Sequence, residues 1–304
     1  MKKVLIFGIG GFVGAYLVNE LQNHGYKIYG SDLREKMIDN IPVAAANLLN
    51  PEAVEDIIRK IMPDIVINLA AISSVGQSWD TPQMTVQVNV IGALNILEAT
   101  RKQSHKPKVM FIGSSEEYMV GDKPINETAL LNANNPYGIS KITQERFAEL
   151  YRKQYGLQIY CVRSFNHTGL GQRDNFVLPS FCKQVAEIEK SGRSGIIKVG
   201  NLSVKRDFSH VKDVVRAYRM ILENGDETQI YNVGSGVAYS LSELLDYIIS
   251  LSHQKILVEV DGARIRLVDT PVICCDNNKI QKELGWKPEY TVFDALDELY
   301  KSYL

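Results

Sequence analysis

Short apolar runs alternate with longer amphipathic stretches over the first half of this chain. Strand candidates lie at 4–7, 27–30, 64–69, 108–112 and 158–162, and the main helical stretches lie at 85–101 and 137–155. Continuous apolar runs of this length are typical of strands buried on both faces of a parallel sheet. The alternation therefore predicts an α/β fold with a doubly wound parallel sheet.

The pattern becomes less regular after residue 165, where short strand candidates are separated by helices and loops without repeats or a flexible linker. We therefore expect a larger unit at 1–165, joined by a returning piece near 207–233. A smaller substrate-binding lobe, made of 166–206 and 234–304, is expected to interleave with it.

The first strand candidate leads into a glycine-rich turn, Gly8-Ile9-Gly10-Gly11-Phe12-Val13-Gly14, and a helical pattern follows. Strand, glycine turn and helix in this order form the context of a dinucleotide-binding loop. The glycines permit close backbone approach, and free N–H groups at the helix N-terminus attract a pyrophosphate. We expect a Rossmann-type domain whose cofactor-binding residues include Gly8, Gly11, Phe12, Val13 and Gly14. An ordinary glycine turn is the alternative.

The second strand candidate leads to Asp32, about twenty residues beyond the glycine turn. A carboxylate there accepts hydrogen bonds from the adenosine ribose and repels a 2′-phosphate, which favours NAD(H). Arg34 follows two residues later, and its guanidinium would accommodate that phosphate. The expected cofactor is therefore NAD(H) or NADP(H), with NAD(H) favoured.

The composition indicates a cytoplasmic enzyme. The 304 residues carry 34 Lys and Arg against 35 Asp and Glu, so no global charge attracts nucleic acid or a membrane surface. No apolar stretch reaches the length of a membrane span, and the N-terminus does not resemble a secretory leader. The four cysteines show no metal-ligand spacing and suit a reducing compartment.

Tyr137 and Lys141 are four residues apart in a helical stretch, so their side chains share one face. An ammonium beside a phenol lowers the tyrosine pKa and lets the hydroxyl exchange a proton near neutral pH. The fourth strand candidate is followed by Gly113-Ser114-Ser115-Glu116-Glu117-Tyr118, at the sheet edge where ligands bind. Ser114 is placed to hold a substrate oxygen, or alternatively to cap a helix. Glu116 is a candidate base or a solvated acid.

Together these residues resemble the extended short-chain dehydrogenase/reductases over essentially the whole chain. The motifs are Gly8/Gly11/Gly14, Leu69-Ala70-Ala71, 89–95, Ser114 and Tyr137/Lys141. Later motifs at 163–169, 175–177, 199–202, 205–208 and 284–288 look like those of enzymes acting on GDP-4-keto-6-deoxy-mannose. The resemblance implies reduction of the 4-keto group of this GDP-linked deoxyhexose with NAD(P)H. Tyr137 would donate the proton, Ser114 would hold the sugar 4-oxygen, and Lys141 would tune Tyr137 and bind the nicotinamide ribose.

The resemblance also assigns further binding residues. For the cofactor it adds Asn47, Leu48, Leu69, Ala70, Ala71 and Asn89, although relatives usually have an aspartate where Asn47-Leu48 stands. For the substrate it points to Ser74, Ser115, Asn166, Asn175, Val177, Lys183, Val199, Arg206, Arg266 and Asp269. Guanidinium groups bind phosphate in a fixed fork, so Arg206 and Arg266 are expected at the diphosphate, with structural ion pairs as the alternative. Lys183 is equally well explained as a solvated helix lysine.

Two other functions remain open. A nucleotide-sugar 4,6-dehydratase or 4-epimerase would retain its NAD, and Glu116 would remove the C5 proton for dehydration. A non-catalytic dinucleotide sensor is disfavoured, because sensing does not need the proton donor of an intact Ser114/Tyr137/Lys141 set.

A homodimer is expected from the helices around 89–101 and 137–155, which carry more apolar residues than one core-facing stripe requires. These residues include Leu94, Ile96, Leu97, Ile139, Phe147, Leu150 and Tyr151. In the resembling family the two helices pair with their symmetry mates as a four-helix bundle. The alternative is that they only cover the sheet of a monomer.

Overall fold

The computed structural model describes residues 1–38, 40–119, 121, 123–264 and 270–304. The strands are β1 (Lys3–Phe7), β2 (Lys27–Asp32), β3 (Lys36–Ile38), β4 (Ile41–Ala45), β5 (Ile65–Asn68), β6 (Lys108–Ser114), β7 (Ile159–Ser164), β8 (Asn166–Thr168), β9 (Gly195–Val199), β10 (Lys205–His210), β11 (Ile230–Val233), β12 (Ala238–Ser240), β13 (Ile256–Val260) and β14 (Val272–Ile273). The α-helices are α1 (Phe12–Asn23), α2 (Pro51–Ile61), α3 (Val75–Asp80), α4 (Pro82–Val86), α5 (Gly92–Arg101), α6 (Pro136–Tyr155), α7 (Val177–Ser191), α8 (Val211–Asn224), α9 (Leu241–Ser250), α10 (Asn278–Leu284) and α11 (Val292–Tyr303). A π-helical turn, Gln87–Ile91, joins α4 to α5, and a 3₁₀ turn, Ser115–Glu117, follows β6.

Eight strands form one sheet in the order β11-β7-β6-β5-β1-β2-β4-β3. Neighbouring strands are parallel except at the edge, where β3 runs antiparallel to β4. The chain begins in the middle of the sheet and extends it in both directions, which confirms the predicted doubly wound α/β fold. Among the described residues, no helix has the length and apolarity needed to cross a membrane.

Helices cover both faces of this sheet. Val4, Leu5 and Ile6 of β1 have no exposed surface, which is why the sequence shows a continuous apolar run rather than an alternating one. Side chains of α1 and α8 pack on one face, and those of α2, α5 and α6 pack on the other. This two-sided packing fixes the carboxyl ends of the parallel strands at one edge, where ligands of such sheets bind.

The structure corrects part of the predicted dimer surface. Ile96 and Leu97 of α5 have no exposed surface and belong to the core beneath the sheet. Leu94, Phe147 and Tyr151 are partly buried against the same core. The apolar excess of these helices is therefore explained in part by α5 and α6 packing on the sheet and on each other.

The remaining strands form two small sheets. One has the order β12-β10-β14, with β8 beside β10, and the other pairs β9 with β13. The helices α7, α9 and α11 pack around the associated core, which includes Phe181, Leu244 and Leu296. Between these pieces the chain returns to the large sheet, where β11 pairs with β7. The two groups of elements therefore interleave along the sequence.

Candidate active site

The glycine turn lies where β1 passes into α1. Gly8 has a φ of +76°, and a Cβ there would lie 2.6 Å from the backbone nitrogen of Ala70. Gly14 packs against a backbone carbonyl with no space for a side chain. The helix begins at Phe12 after Gly11, and no side chain caps its first turn. The Gly14 N–H donates to the Gly11 carbonyl at 3.1 Å, which leaves the N–H groups of Phe12 and Val13 for a ligand. A glycine cradle at an uncapped helix N-terminus fits the pyrophosphate of a dinucleotide.

Asp32 ends β2 beside this cradle. Its carboxylate accepts hydrogen bonds from the Leu33 N–H at 2.8 Å and from the Lys36 ammonium at 2.9 Å. Burial raises the pKa of Asp32, but Lys36 and the N–H groups of Leu33 and Gly10 outweigh this effect and hold the pKa below its usual value. The acid is therefore ionised at neutral pH. Arg34 is exposed and makes no hydrogen bond or ion pair within the described part of the chain.

The loop after β5 contains residues 69–71 and is held by a side chain of the π-helical turn. The Asn89 oxygen accepts a hydrogen bond from the Ile72 N–H at 2.9 Å. Its amide donates to the Ile72 carbonyl at 3.1 Å and to the Ser140 hydroxyl at 2.9 Å. Asn89 has no exposed surface, so it positions this loop against α6, whereas the sequence suggested a direct cofactor contact.

Asn47 and Leu48 follow β4 and have different environments. Leu48 is buried, and its carbonyl accepts a hydrogen bond from the Asn95 amide at 2.7 Å. Asn47 is exposed, and its side-chain oxygen accepts the Leu49 N–H at 3.0 Å. Of these two candidate cofactor-binding residues, only Asn47 has a side chain that is exposed to a ligand.

Three predicted catalytic groups meet at the carboxyl end of β6. The Ser114 and Tyr137 side chains lie close enough for the Ser114 hydroxyl to lower the pKa of the phenol. Tyr137 lies in the first turn of α6, which Asn135 caps by accepting a backbone N–H at 2.9 Å. One turn later, the Lys141 ammonium lies 5.8 Å from the centroid of the Tyr137 ring and donates to the Ile112 carbonyl at 2.6 Å. The arrangement brings a phenol, a second hydroxyl and an ammonium to one place.

The pKa values of these groups depart from the sequence-based expectation. Burial raises the pKa of Tyr137; the nearby Ser114 hydroxyl opposes this effect, and the carboxylates of Glu117 and Glu116 add to it. Burial lowers the pKa of Lys141 to about 8, against the opposing charge of Glu117. The expectation that Lys141 lowers the tyrosine pKa is wrong for the protein alone, because desolvation of the phenol dominates.

Glu117 is a buried acid that the sequence analysis did not assign. Its carboxylate accepts the backbone N–H of Ser114 at 2.7 Å and lies 3.6 Å from the Nε of Arg163. Burial raises the pKa of Glu117 to about 8; the charge of Glu145 adds to this effect and Arg163 opposes it. Glu117 therefore fixes the backbone at Ser114 from behind the site. In the sequence, the only sign of this role is the pair of adjacent acids, Glu116-Glu117, and the pair alone does not indicate which acid points inward.

A cavity of about 340 Å³ opens beside Glu116. Its walls come from the 3₁₀ turn, from Asn132 and Asn134 in the following loop, and from residues 270–273. The Asn135 amide donates to the Glu116 carboxylate at 2.9 Å, so the acid is held at the cavity wall. Amide, hydroxyl and carboxylate groups around one cavity suit a sugar with several hydroxyls.

Two of the predicted substrate residues lie at or beside this cavity. Ser115 forms part of its wall. Arg206 is buried, and its guanidinium donates to the carbonyls of Lys205 at 2.9 Å and Thr270 at 2.7 Å. Because Thr270 is also a wall residue, Arg206 supports this side of the cavity through the backbone.

The other predicted substrate residues are more dispersed. Ser74 caps α3, Asn166 lies in β8, Asn175 is exposed and Val177 opens α7. Lys183 pairs with Asp174 at 2.7 Å. Val199, the last residue of β9, is completely buried in the core. Its side chain therefore does not contact a ligand, contrary to the expectation. Arg266 and Asp269 lie outside the described residues.

The fold and this site define a nicotinamide-dependent oxidoreductase of the extended short-chain type. The sequence profile of the GDP-mannose 4,6 dehydratase family matches residues 5–299, and the chain belongs to this family. The expectation that it is an enzyme using NAD(H) or NADP(H) is confirmed.

Individual relatives are similar over their full length. The GDP-6-deoxy-D-mannose reductase of Pseudomonas aeruginosa is 31% identical over 299 residues, covering 97% of this chain and 95% of that enzyme. The GDP-mannose 4,6-dehydratase of Vibrio cholerae is 28% identical over 349 aligned positions, covering 99% and 93%. The structure of RMD from Pseudomonas aeruginosa complexed with NADPH superposes with a TM-score of 0.89 at 27% identity, covering 100% and 99%.

Proposed function

We propose that this protein reduces the 4-keto group of GDP-4-keto-6-deoxy-D-mannose to GDP-6-deoxy-D-mannose, using NADH or NADPH. The observation that carries the proposal is the full-length similarity to a GDP-6-deoxy-D-mannose reductase in a chain that keeps Ser114, Tyr137 and Lys141 together. The elements around β9, β10 and α7 would form the nucleotide-sugar-binding lobe, and the cavity beside Glu116 would receive the hexose.

The site supports ketone reduction by supplying a proton and stabilising charge. When bound, the reduced nicotinamide supplies a hydride to C4 of the sugar. Tyr137 donates its phenolic proton to the oxygen that gains negative charge, and the Ser114 hydroxyl donates a hydrogen bond to the same oxygen. The Lys141 ammonium stabilises the phenolate that remains. Glu117 holds the Ser114 backbone through the N–H hydrogen bond.

A 4,6-dehydratase is the second candidate, because Glu116 has a carboxylate at the cavity wall that would be able to accept a C5 proton. The alignment lengths favour the reductase. Against the dehydratase, 349 positions are aligned although this chain has 304 residues, so at least 45 positions have no residue of this chain opposite them. The reductase alignment spans only 299 residues.

Cofactor stoichiometry separates the two functions. GDP-4-keto-6-deoxy-D-mannose and GDP-mannose are each incubated with enzyme and excess NADH or NADPH. A reductase oxidises one reduced cofactor for each keto sugar consumed and leaves GDP-mannose untouched. Conversion of GDP-mannose without net cofactor oxidation would contradict the proposal and establish the dehydratase.

We also propose a homodimer formed through the π-helical turn, α5 and α6. Ile91, Ile139 and Leu150 are 42%, 52% and 58% exposed on this side of the molecule, and an apolar surface of this kind favours two-fold association. Replacing Ile139 and Leu150 together by Glu should halve the mass measured by light scattering. Leu257→Glu is the matched control, since Leu257 is 55% exposed in β13. A monomeric wild type would overturn this proposal.

We further propose that the enzyme acts in the cytoplasm without a nucleic-acid partner. Its four cysteines, Cys161, Cys182, Cys274 and Cys275, are free thiols, which suits a reducing compartment. Its net charge of −1 gives no general attraction for polyanions. Cell fractionation with a tagged chain tests the location, and a gel-shift assay tests nucleic-acid binding.

A further inference from the structure

The turn between β2 and β3 brings a lysine onto the glycine cradle. β3 begins at Lys36, whose ammonium lies 2.9 Å from the Oδ2 of Asp32. The same side chain crosses over Gly10: a Cβ built on Gly10 would collide with the Lys36 ammonium and would lie 2.8 Å from its Cε. Lys36 is therefore held between the acid at the end of β2 and the glycine turn.

This pairing changes what Asp32 does to an incoming anion. An unpaired carboxylate at the end of β2 would repel a 2′-phosphate, whereas Asp32 is already bound by Lys36 and by the N–H of Leu33. The Lys36 and Asp32 side chains are 40% and 25% exposed, and an ion pair this exposed costs little to open. The Lys36 ammonium is thus available to bind a stronger anion.

The Lys36 ammonium, on Asp32, adjoins the place where the 2′-phosphate of NADPH would lie. An acid at this point accepts hydrogen bonds from the adenosine ribose while the pyrophosphate binds at the glycine turn. The ribose 2′-position therefore lies near Asp32 and within reach of a cation paired with that acid. Arg34 has the matching charge, but it is exposed and makes no hydrogen bond or ion pair within the described residues.

We infer that Lys36, rather than Arg34, binds the 2′-phosphate of NADPH, and that its pairing with Asp32 lets one site accept both NADH and NADPH. With NADH, Lys36 stays on Asp32 and neutralises it. With NADPH, the ammonium turns from the carboxylate to the phosphate. The inference rests on the nicotinamide cofactor of the proposed function but not on the identity of the sugar.

Two cofactor fragments test this inference without turnover. The probes are 2′,5′-ADP and 5′-AMP, which differ only in the 2′-phosphate, and their affinities are measured by titration calorimetry at fixed ionic strength. Lys36→Met should weaken the binding of 2′,5′-ADP about tenfold or more, as expected for loss of a charge-assisted contact. The affinity for 5′-AMP should stay within about twofold of the wild-type value. Arg34→Met represents the competing assignment. Lys60→Met, in the exposed last turn of α2, controls for loss of one positive charge.

The other outcomes each overturn the inference. If only Arg34→Met loses affinity for 2′,5′-ADP while keeping affinity for 5′-AMP, Arg34 is the residue that binds the 2′-phosphate. An equal loss of affinity for both fragments in Lys36→Met would show that Lys36 is a structural residue of the turn. A wild type that binds neither fragment, or only 5′-AMP, would also refute it. Selective fragment binding without any reduction of a GDP-sugar would refute the proposed function and leave the inference intact.

Discussion

Replacing Tyr137 by Phe removes one oxygen atom from the centre of the site and leaves the ring in place. The loss of a positioned general acid costs about 10²–10⁴-fold in turnover. The structural cost should be small, because the Ser114 hydroxyl keeps its hydrogen bond from the Glu116 N–H at 3.2 Å. Even if the hydroxyl contributes one ordinary hydrogen bond, the destabilisation should stay within about 0.5–1.5 kcal/mol.

The assay separates chemistry from folding and from cofactor binding. Turnover is followed by oxidation of the reduced cofactor with the keto sugar, cofactor affinity by fluorescence titration, and folding by thermal denaturation. Tyr155→Phe is the matched control, since Tyr155 ends the same helix and is 39% exposed. Near wild-type turnover in Tyr137→Phe would remove this residue from its role. Loss of turnover together with loss of folding would show that the hydroxyl is structural.

Four other outcomes are expected. Burial lowers the pKa of Lys141 to about 8, so its ammonium is lost as the pH rises through 8 and kcat should fall on that side. Glu117→Gln removes a charge that raises this pKa and should move the alkaline limb to lower pH; an unmoved limb would mean that another group titrates. Asp32→Ala should weaken NADH more than NADPH, and an unchanged ratio of the two dissociation constants would exclude Asp32 from cofactor selection. GDP should raise the melting temperature more than UDP or dTDP at equal concentration, because a ligand that binds the native state stabilises it; equal shifts would contradict a GDP-selective base pocket.

Local chemistry made the central features predictable from the sequence. The glycine turn needs Gly8 because its φ is +76° and its neighbour is a backbone atom, and no other residue type meets both conditions easily. The buried strands were visible as continuous apolar runs. The spacing of Tyr137 and Lys141 fixed their common face on α6 once the helix was recognised.

Features that depend on non-local packing were not predictable in the same way. The direction of the Tyr137 pKa shift is set by burial, which a single helical motif does not reveal. Ile96 and Ile139 are both apolar residues of surface helices, yet one is in the core and the other is 52% exposed. The pairing of Lys36 with Asp32 depends on where the short β3 strand begins, which its weak apolar pattern does not mark.

The hydrogen bonds of Asn89 have a dynamic consequence. A single buried amide connects the loop after β5 to α6 through Ile72 and Ser140, so a displacement of either segment strains the other. The Ile72 N–H should therefore exchange with deuterium slowly for a loop amide, at a rate set by opening of this whole junction. In Asn89→Ala the same amide should exchange rapidly, and cofactor affinity and turnover should decline together because the segments would move independently.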